Sequence, residues 1–150
     1  MDRNIFKRII LTTLILSSCM NKQTNTNHFY DTRKINDLYR VPLLEPIELI
    51  SADEDSWFLA VNSFKKGVKR MHVEAVGITD SILVGYVSSV YLDSKMTKAW
   101  YVIDYPEKKI EYFTDSHAYQ QEIAKKGIVV PLVKAVDFYT SYWKQKAVNK

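Results

Sequence analysis

The chain is poor in the residues that build most recognisable sites. Of its 150 residues one is cysteine, Cys19, and glycine and proline occur four times each. A lone cysteine excludes a disulfide within the chain. Four scattered glycines cannot assemble a GxGxxG turn or a Walker-type phosphate loop, and neither motif occurs. No Gly-x-Ser-x-Gly elbow is present to expose a serine nucleophile. So few glycines and prolines also argue against a fibrous or low-complexity body.

What is present begins at the N-terminus. Arg3, Lys7 and Arg8 make a basic start, and Ile9 to Leu16 a mostly apolar run broken by Thr12 and Thr13. That run falls well short of the ~20 residues a permanent membrane helix needs. Leu16-Ser17-Ser18-Cys19 follows, with two small residues before the only thiol. The segment resembles the lipobox of bacterial lipoproteins. The resemblance implies that residues 1–18 are a signal peptide and that Cys19 becomes a lipidated N-terminus. It also implies a bacterial envelope location. Met20, rather than an aspartate, after the cysteine favours the periplasmic face of the outer membrane in a double-membraned cell. In a single-membrane cell the same leader gives the outer face of the plasma membrane.

After Cys19 the stretch Asn21-Lys22-Gln23-Thr24-Asn25-Thr26-Asn27 has almost nothing to bury. We read residues 19–34 as a polar tether with a reach of roughly 20 Å, and residues 35–150 as a single domain. Removing the leader takes three basic residues and one acidic residue from totals of 21 and 17, which leaves a net charge near +2. Such a balance gives no argument for a nucleic-acid partner. The full chain is 47% apolar, with 10 tyrosines, 6 phenylalanines and 3 tryptophans, and of these aromatics only Phe6 belongs to the leader, so the remainder can fill a core.

Patterning predicts an α+β fold: an antiparallel five- or six-stranded meander sheet with two C-terminal helices packed on it. Pro42 and Pro46 point to an extended lead-in, followed by a short edge strand near Ile47–Ser51. Asp53 to Ser56 reads as a turn and Trp57–Phe64 as a strand. Met71–Ile78 and Ile82–Tyr91 form a hairpin around Thr79-Asp80-Ser81. Both faces of Ile82–Tyr91 carry apolar residues, as in a central strand covered on both sides. Gly85 within it marks a bulge or a close backbone approach. Trp100–Asp104 and Lys109–Phe113 flank another turn at Tyr105–Lys108. Asp115 or Ser116 caps the first helix, Gly127 ends it, and Ile128 closes over its end. The second helix is expected to start near Pro131 and to lay Leu132, Val136, Tyr139 and Trp143 on the sheet. The body is loosely similar to small bacterial lipoproteins of unknown function through Trp100–Asp104 and Tyr112–Ile128.

Chemical candidates are few, and each has a plainer account. His28, His72 and His117 are not spaced as zinc ligands. His72 and Glu74 share a strand face but lack a third ligand. Asp115-Ser116-His117 contains the residue types of a hydrolase triad, yet neighbours on a helix point about 100° apart. Asp53-Glu54-Asp55 lacks the further oxygens and glycine of a calcium loop. No metal and no cofactor is therefore expected.

Lys65, Lys66, Lys69 and Arg70 form the densest basic cluster and would contact anionic lipid or an acidic partner. Phe138 and Tyr142 make a second aromatic stripe that, if exposed, would mark a partner site. The reading that follows is a membrane-anchored, non-enzymatic module that binds or inhibits an envelope or secreted protein, as immunity factors do. A structural envelope component and an enzyme with a dispersed site are the alternatives.

Overall fold

In the computed structural model, residues 28–61, 64, 71–92 and 95–148 are described. Helix α1 spans His28–Asp31 and is followed by β1 (Lys34–Ile35), β2 (Leu38–Leu44), β3 (Ile47–Ser51) and β4 (Trp57–Ala60). Then come β5 (Met71–Ile78), β6 (Ile82–Leu92), β7 (Lys95–Asp104) and β8 (Lys109–Phe113). Helix α2 (Ser116–Lys125), β9 (Val133–Lys134) and α3 (Ala135–Val148) follow. The α+β class is as expected. The sheet is larger than expected: eight strands pair antiparallel in sequence order, and β9 adds a ninth beside β5.

The extra strands arise where local signals were weak. β2 contains Pro42 and still pairs with β3 from Tyr39↔Ser51 to Leu44↔Ile47. On its other side β1 meets only Leu38 and Tyr39, so Pro42 lies on a one-sided stretch where a missing donor is tolerated. With β2 in place, Ile47–Ser51 is an interior strand rather than an edge. The strand from Trp57 ends at Ala60, short of Phe64. β7 starts at Lys95, because the β6 register continues to Leu92↔Lys95.

Long strands and bulges let the sheet fold over itself. Register shifts interrupt β5–β6 at His72/Val73 and Val73/Ala75, and β6–β7 between Val87 and Val90. Each bulge bends its strand and adds twist. As a result the β7–β8 turn reaches the β2–β3 turn, where Tyr105 Oη donates to the Glu45 carbonyl at 2.6 Å. Phe64 stacks on Tyr105 at 5.5 Å between centroids. Between the folded halves lies the main core, with Val41, Leu49, Trp57, Leu59, Met71, Leu83, Val87, Tyr101 and Ile103 all sealed from solvent. A smaller core of Val84, Val102, Tyr119 and Ile128 lies on the opposite side of β6 and β7, under α2. β6 is thus covered on both faces, as its patterning predicted.

Gly85 is a close-approach site. A Cβ there would collide with the Ala75 carbonyl oxygen and with the Tyr101 ring and hydroxyl. Helix α2 ends as the sequence indicates. Asp115 accepts from Ala118 N–H at 2.8 Å, Gly127 adopts φ +65°, and Ile128 N–H donates to the Ile123 carbonyl at 2.9 Å.

The last helix departs from expectation. Val133–Lys134 pairs with β5, so α3 begins at Ala135, not near Pro131. The shift rotates the packing face: Ala135 and Tyr139 are buried, Phe138, Tyr142 and Trp143 pack partly against the main core, and Leu132 and Val136 face outward. No helix of the described residues is long and apolar enough to cross a membrane.

Candidate functional site

The N-terminal boundary of the fold lies earlier than composition implied. Residues 28–34, read as tether, are built into the domain. Tyr142 Oη donates to the Tyr30 carbonyl at 3.2 Å, Lys146 pairs with Asp31 at 3.1 Å, and Arg33 Nε donates to Tyr139 Oη at 2.8 Å. These contacts hold α1 over the outer face of β2 and β3.

On that face the register sets Arg40 opposite Ile50 and Pro42 opposite Glu48. Arg40 and Glu48 are therefore diagonal neighbours on one face, within reach for long side chains. Arg40 Nε donates to Glu48 Oε2 at 2.6 Å, and Nη2 lies 2.5 Å from the same oxygen. Arg40 is only 3% exposed, with its guanidinium 4.9 Å from the centre of the Phe29 ring. Its backbone is fixed too: the carbonyl accepts from Trp143 Nε1 at 2.8 Å and the N–H donates to the Arg33 carbonyl at 3.0 Å. Taking such a pair out of water is costly, so its geometry must be good to be tolerated.

Between this ion pair and α1 lies an open groove of about 360 Å³. Phe29, Ile35 and Pro46 give it apolar walls, Arg40 and Glu48 a charged floor, and His28 and Thr32 a polar rim. Concave apolar walls around a few fixed polar groups are the usual make-up of a ligand or side-chain pocket. A smaller hollow of about 80 Å³ lies farther along the same face, among Leu38, Ile50, Ser51, Ala52 and Phe58.

The sequence candidates fare differently. Cys19 and the Lys65, Lys66, Lys69 and Arg70 cluster lie outside the described residues. Phe138 and Tyr142 are brought together, but as packing residues and not as an exposed aromatic patch. Both lie partly buried on the main core, Tyr142 meets Trp143 edge-on at 5.0 Å, and burial pushes its hydroxyl above the usual tyrosine range. The large apolar side chains that are exposed on this part of the chain are Val129 at 95%, Leu132, Val136 and Val148.

His72 sits on the outer face with Glu74, as alternation predicted, and gains a neighbour that sequence spacing did not indicate. Its Nδ1 makes a very short contact with Ser88 Oγ and lies 3.8 Å from Glu74 Oε1. Serine, histidine and glutamate thus converge, but both partners address one ring nitrogen. A relay needs the acid on one nitrogen and the hydroxyl on the other. This cluster does not have that arrangement.

The acidic turn is structural. Asp53 Oδ1 accepts from Ser56 N–H at 2.8 Å, Asp55 N–H at 3.0 Å and Ser51 Oγ at 3.1 Å. The Ser56 and Asp55 amides, then Ser51, hold this carboxyl below its ordinary value. Among the described residues no three His, Cys, Asp or Glu side chains group as a metal site. Asp115, Ser116 and His117 do not converge, and Asp115 is occupied as the α2 cap.

Sequence reasoning missed the groove, although two signals pointed to it. Phe29 and Tyr30 end an otherwise polar run, and Arg40 interrupts an apolar stretch from Leu38 to Leu44. Comparison with known proteins adds no further candidate: no protein-family model, curated protein or solved structure matches the chain.

Proposed function

We propose that this chain is a lipid-anchored module of the bacterial envelope that holds or inhibits a protein partner through the groove beside α1. The leader and Leu16-Ser17-Ser18-Cys19 support the anchor. The observation that carries the binding reading is the floor of the groove, where a buried Arg40 is held by a partly exposed Glu48 beside apolar walls. Rigid polar groups inside an apolar recess are what an interface anchor residue fits. The aromatic stripe of Phe138 and Tyr142 is not the contact because it packs inward, and Ile35, 44% exposed on the groove wall, takes its place.

Two measurements test the reading. A photo-cross-linking residue at Ile35 in the intact chain should capture one envelope or secreted protein in stoichiometric yield. The same residue at Lys108, on the exposed β7–β8 turn, should not. Equal or absent capture at the two positions overturns the binding site. Cys19→Ala should abolish leader processing and release the protein from the membrane fraction. Unchanged processing and retention would remove the anchor.

A further inference from the structure

Large apolar side chains are exposed in succession between α2 and α3. Val129 is 95% exposed, Leu132 39% and Val136 38%, and Pro131 is exposed among them. The backbone that carries them is fixed at several points. Ile128 and Val130 turn inward onto the small core, and Val133 pairs with Val76 of β5. Gly77 makes room for the segment: a Cβ there would stand 3.0 Å from both the Pro131 carbonyl oxygen and Val130 Cγ1. With Val130 held inward, Val129, Pro131 and Leu132 are presented outward by the fold itself. Single exposed apolar residues are ordinary, whereas a fixed run of them marks a contact surface.

We propose that Val129, Pro131, Leu132 and Val136 form an edge that rests on the lipid surface and seats the domain there in one orientation. Reach is the first argument. Cys19 lies nine residues before His28, a span of at most about 32 Å however the chain runs. Tyr30, Asp31 and Arg33 fasten that end of the domain to α3, which is itself about 20 Å long and begins beside Val136. An acyl chain on Cys19 thus holds the edge near the bilayer, at an effective concentration where a weak contact suffices. Charge is the second argument. Lys125 and Lys134 border the segment, both exposed, against the single acid Asp137, a balance that suits anionic headgroups. Size is the third. Four side chains fall well short of the ~800 Å² per partner that a stable protein interface covers. Interfacial binding instead grows with whatever apolar area is buried, helped by attraction to anionic lipid. The proposal rests on the anchor reading, which supplies the bilayer, and not on the groove.

The test places a photo-cross-linking residue at Val129 of the intact chain, mixed with vesicles of phosphatidylethanolamine and phosphatidylglycerol. Mass spectrometry then reads the adducts and the state of Cys19. Phospholipid adducts at Val129 should exceed those at Lys108, on the exposed β7–β8 turn, by at least about fivefold. Leu132→Asp should lower the Val129 adducts at least about threefold, because a carboxylate enters the apolar edge and faces anionic lipid. Lys134→Glu provides a second variant should Leu132→Asp unfold, and should act in the same direction.

Equal lipid adducts at Val129 and Lys108 overturn the proposal, as do adducts that both folded variants leave unchanged. A protein captured at Val129 in stoichiometric yield from envelope preparations overturns it as well. If Cys19 is acylated and the chain sediments with the vesicles without lipid adducts at Val129, the anchor stands and the edge falls. Lipid adducts at Val129 of an unacylated chain leave the edge standing and remove the anchor. An unacylated chain that stays off the vesicles removes both.

Discussion

Two patches on the outer surface of one sheet are handled in opposite ways. On β6 and β7 the outward cross-strand pair is Val84–Val102, and a ten-residue helix with both ends capped seals it with Tyr119 and Ile128. On β2 and β3 the outward diagonal pair is Arg40–Glu48, and among the described residues the short α1 with Thr32 and Ile35 borders it, leaving a groove. The hydrophobic effect accounts for the first outcome, since covering two valines and a tyrosine returns free energy in proportion to apolar area. A charged pair returns little or nothing for the same cover. Where the sheet places ions outward, the fold buries the arginine and leaves the glutamate partly reachable.

The comparison breaks most severely on the sealed side. Tyr119→Ala should cost about 3–4 kcal/mol, since Tyr119 is nearly inaccessible and fills the small core. The measurement is a fall in denaturation midpoint with little change in slope. Glu48→Gln should cost about 3 kcal/mol by leaving the buried Arg40 charge unpaired. The sharper experiment is the pair Arg40→Met with Glu48→Leu. It should recover stability to within about 1 kcal/mol of the natural chain, because apolar residues of similar volume replace a buried ion pair at little cost. The same double variant should lose partner capture at Ile35, which separates recognition from stability.

Caps provide the next contrast. Asp115→Ala removes the acceptor for Ala118 N–H and should destabilise by about 1 kcal/mol. Thr32→Ala removes only the bond to the His28 carbonyl at the exposed end of α1 and should stay within about 0.5 kcal/mol.

The smallest effect at neutral pH concerns a buried phenol. Burial pushes the Tyr112 hydroxyl up to about 12 from a reference of 10.0. The fold prefers the neutral form, so this contribution is complete below pH 10 and is lost as pH rises from 10 toward 12. Tyr101, fully buried, is pushed up in the same direction by desolvation. Absorbance near 295 nm should show these two rings ionising only with alkaline unfolding. Ionisation near pH 10 in the folded chain would place them in wetter surroundings.

Legibility in the sequence followed the same divide between sealed and open regions. The α2 cap, its Gly127–Ile128 ending, the β5–β6 hairpin and the close approach at Gly85 were readable because each depends on local residue chemistry. β2 was not, because Pro42 argues against a strand unless its free side is known, and that is a tertiary fact. The phase of α3 was misread because Leu132 looks like the first member of a helical stripe, whereas Val133–Lys134 is captured by β5. The groove was missed for a related reason. Its floor joins residues eight apart on paired strands, and its wall comes from Phe29 at the end of a polar run.

The attachment of α1 to the end of α3 also has a mechanical consequence. A pull applied at His28, as an acyl anchor at Cys19 would apply it, does not simply peel β1 from the sheet margin. Asp31, Tyr30 and Arg33 pass the load to Lys146, Tyr142 and Tyr139, three points along one rigid rod. That rod is nailed to β2 by the Trp143 indole on the Arg40 carbonyl. Drag on a captured partner would thus be spread over α1 and α3 at once, and the groove would sit beside the point where the strain enters.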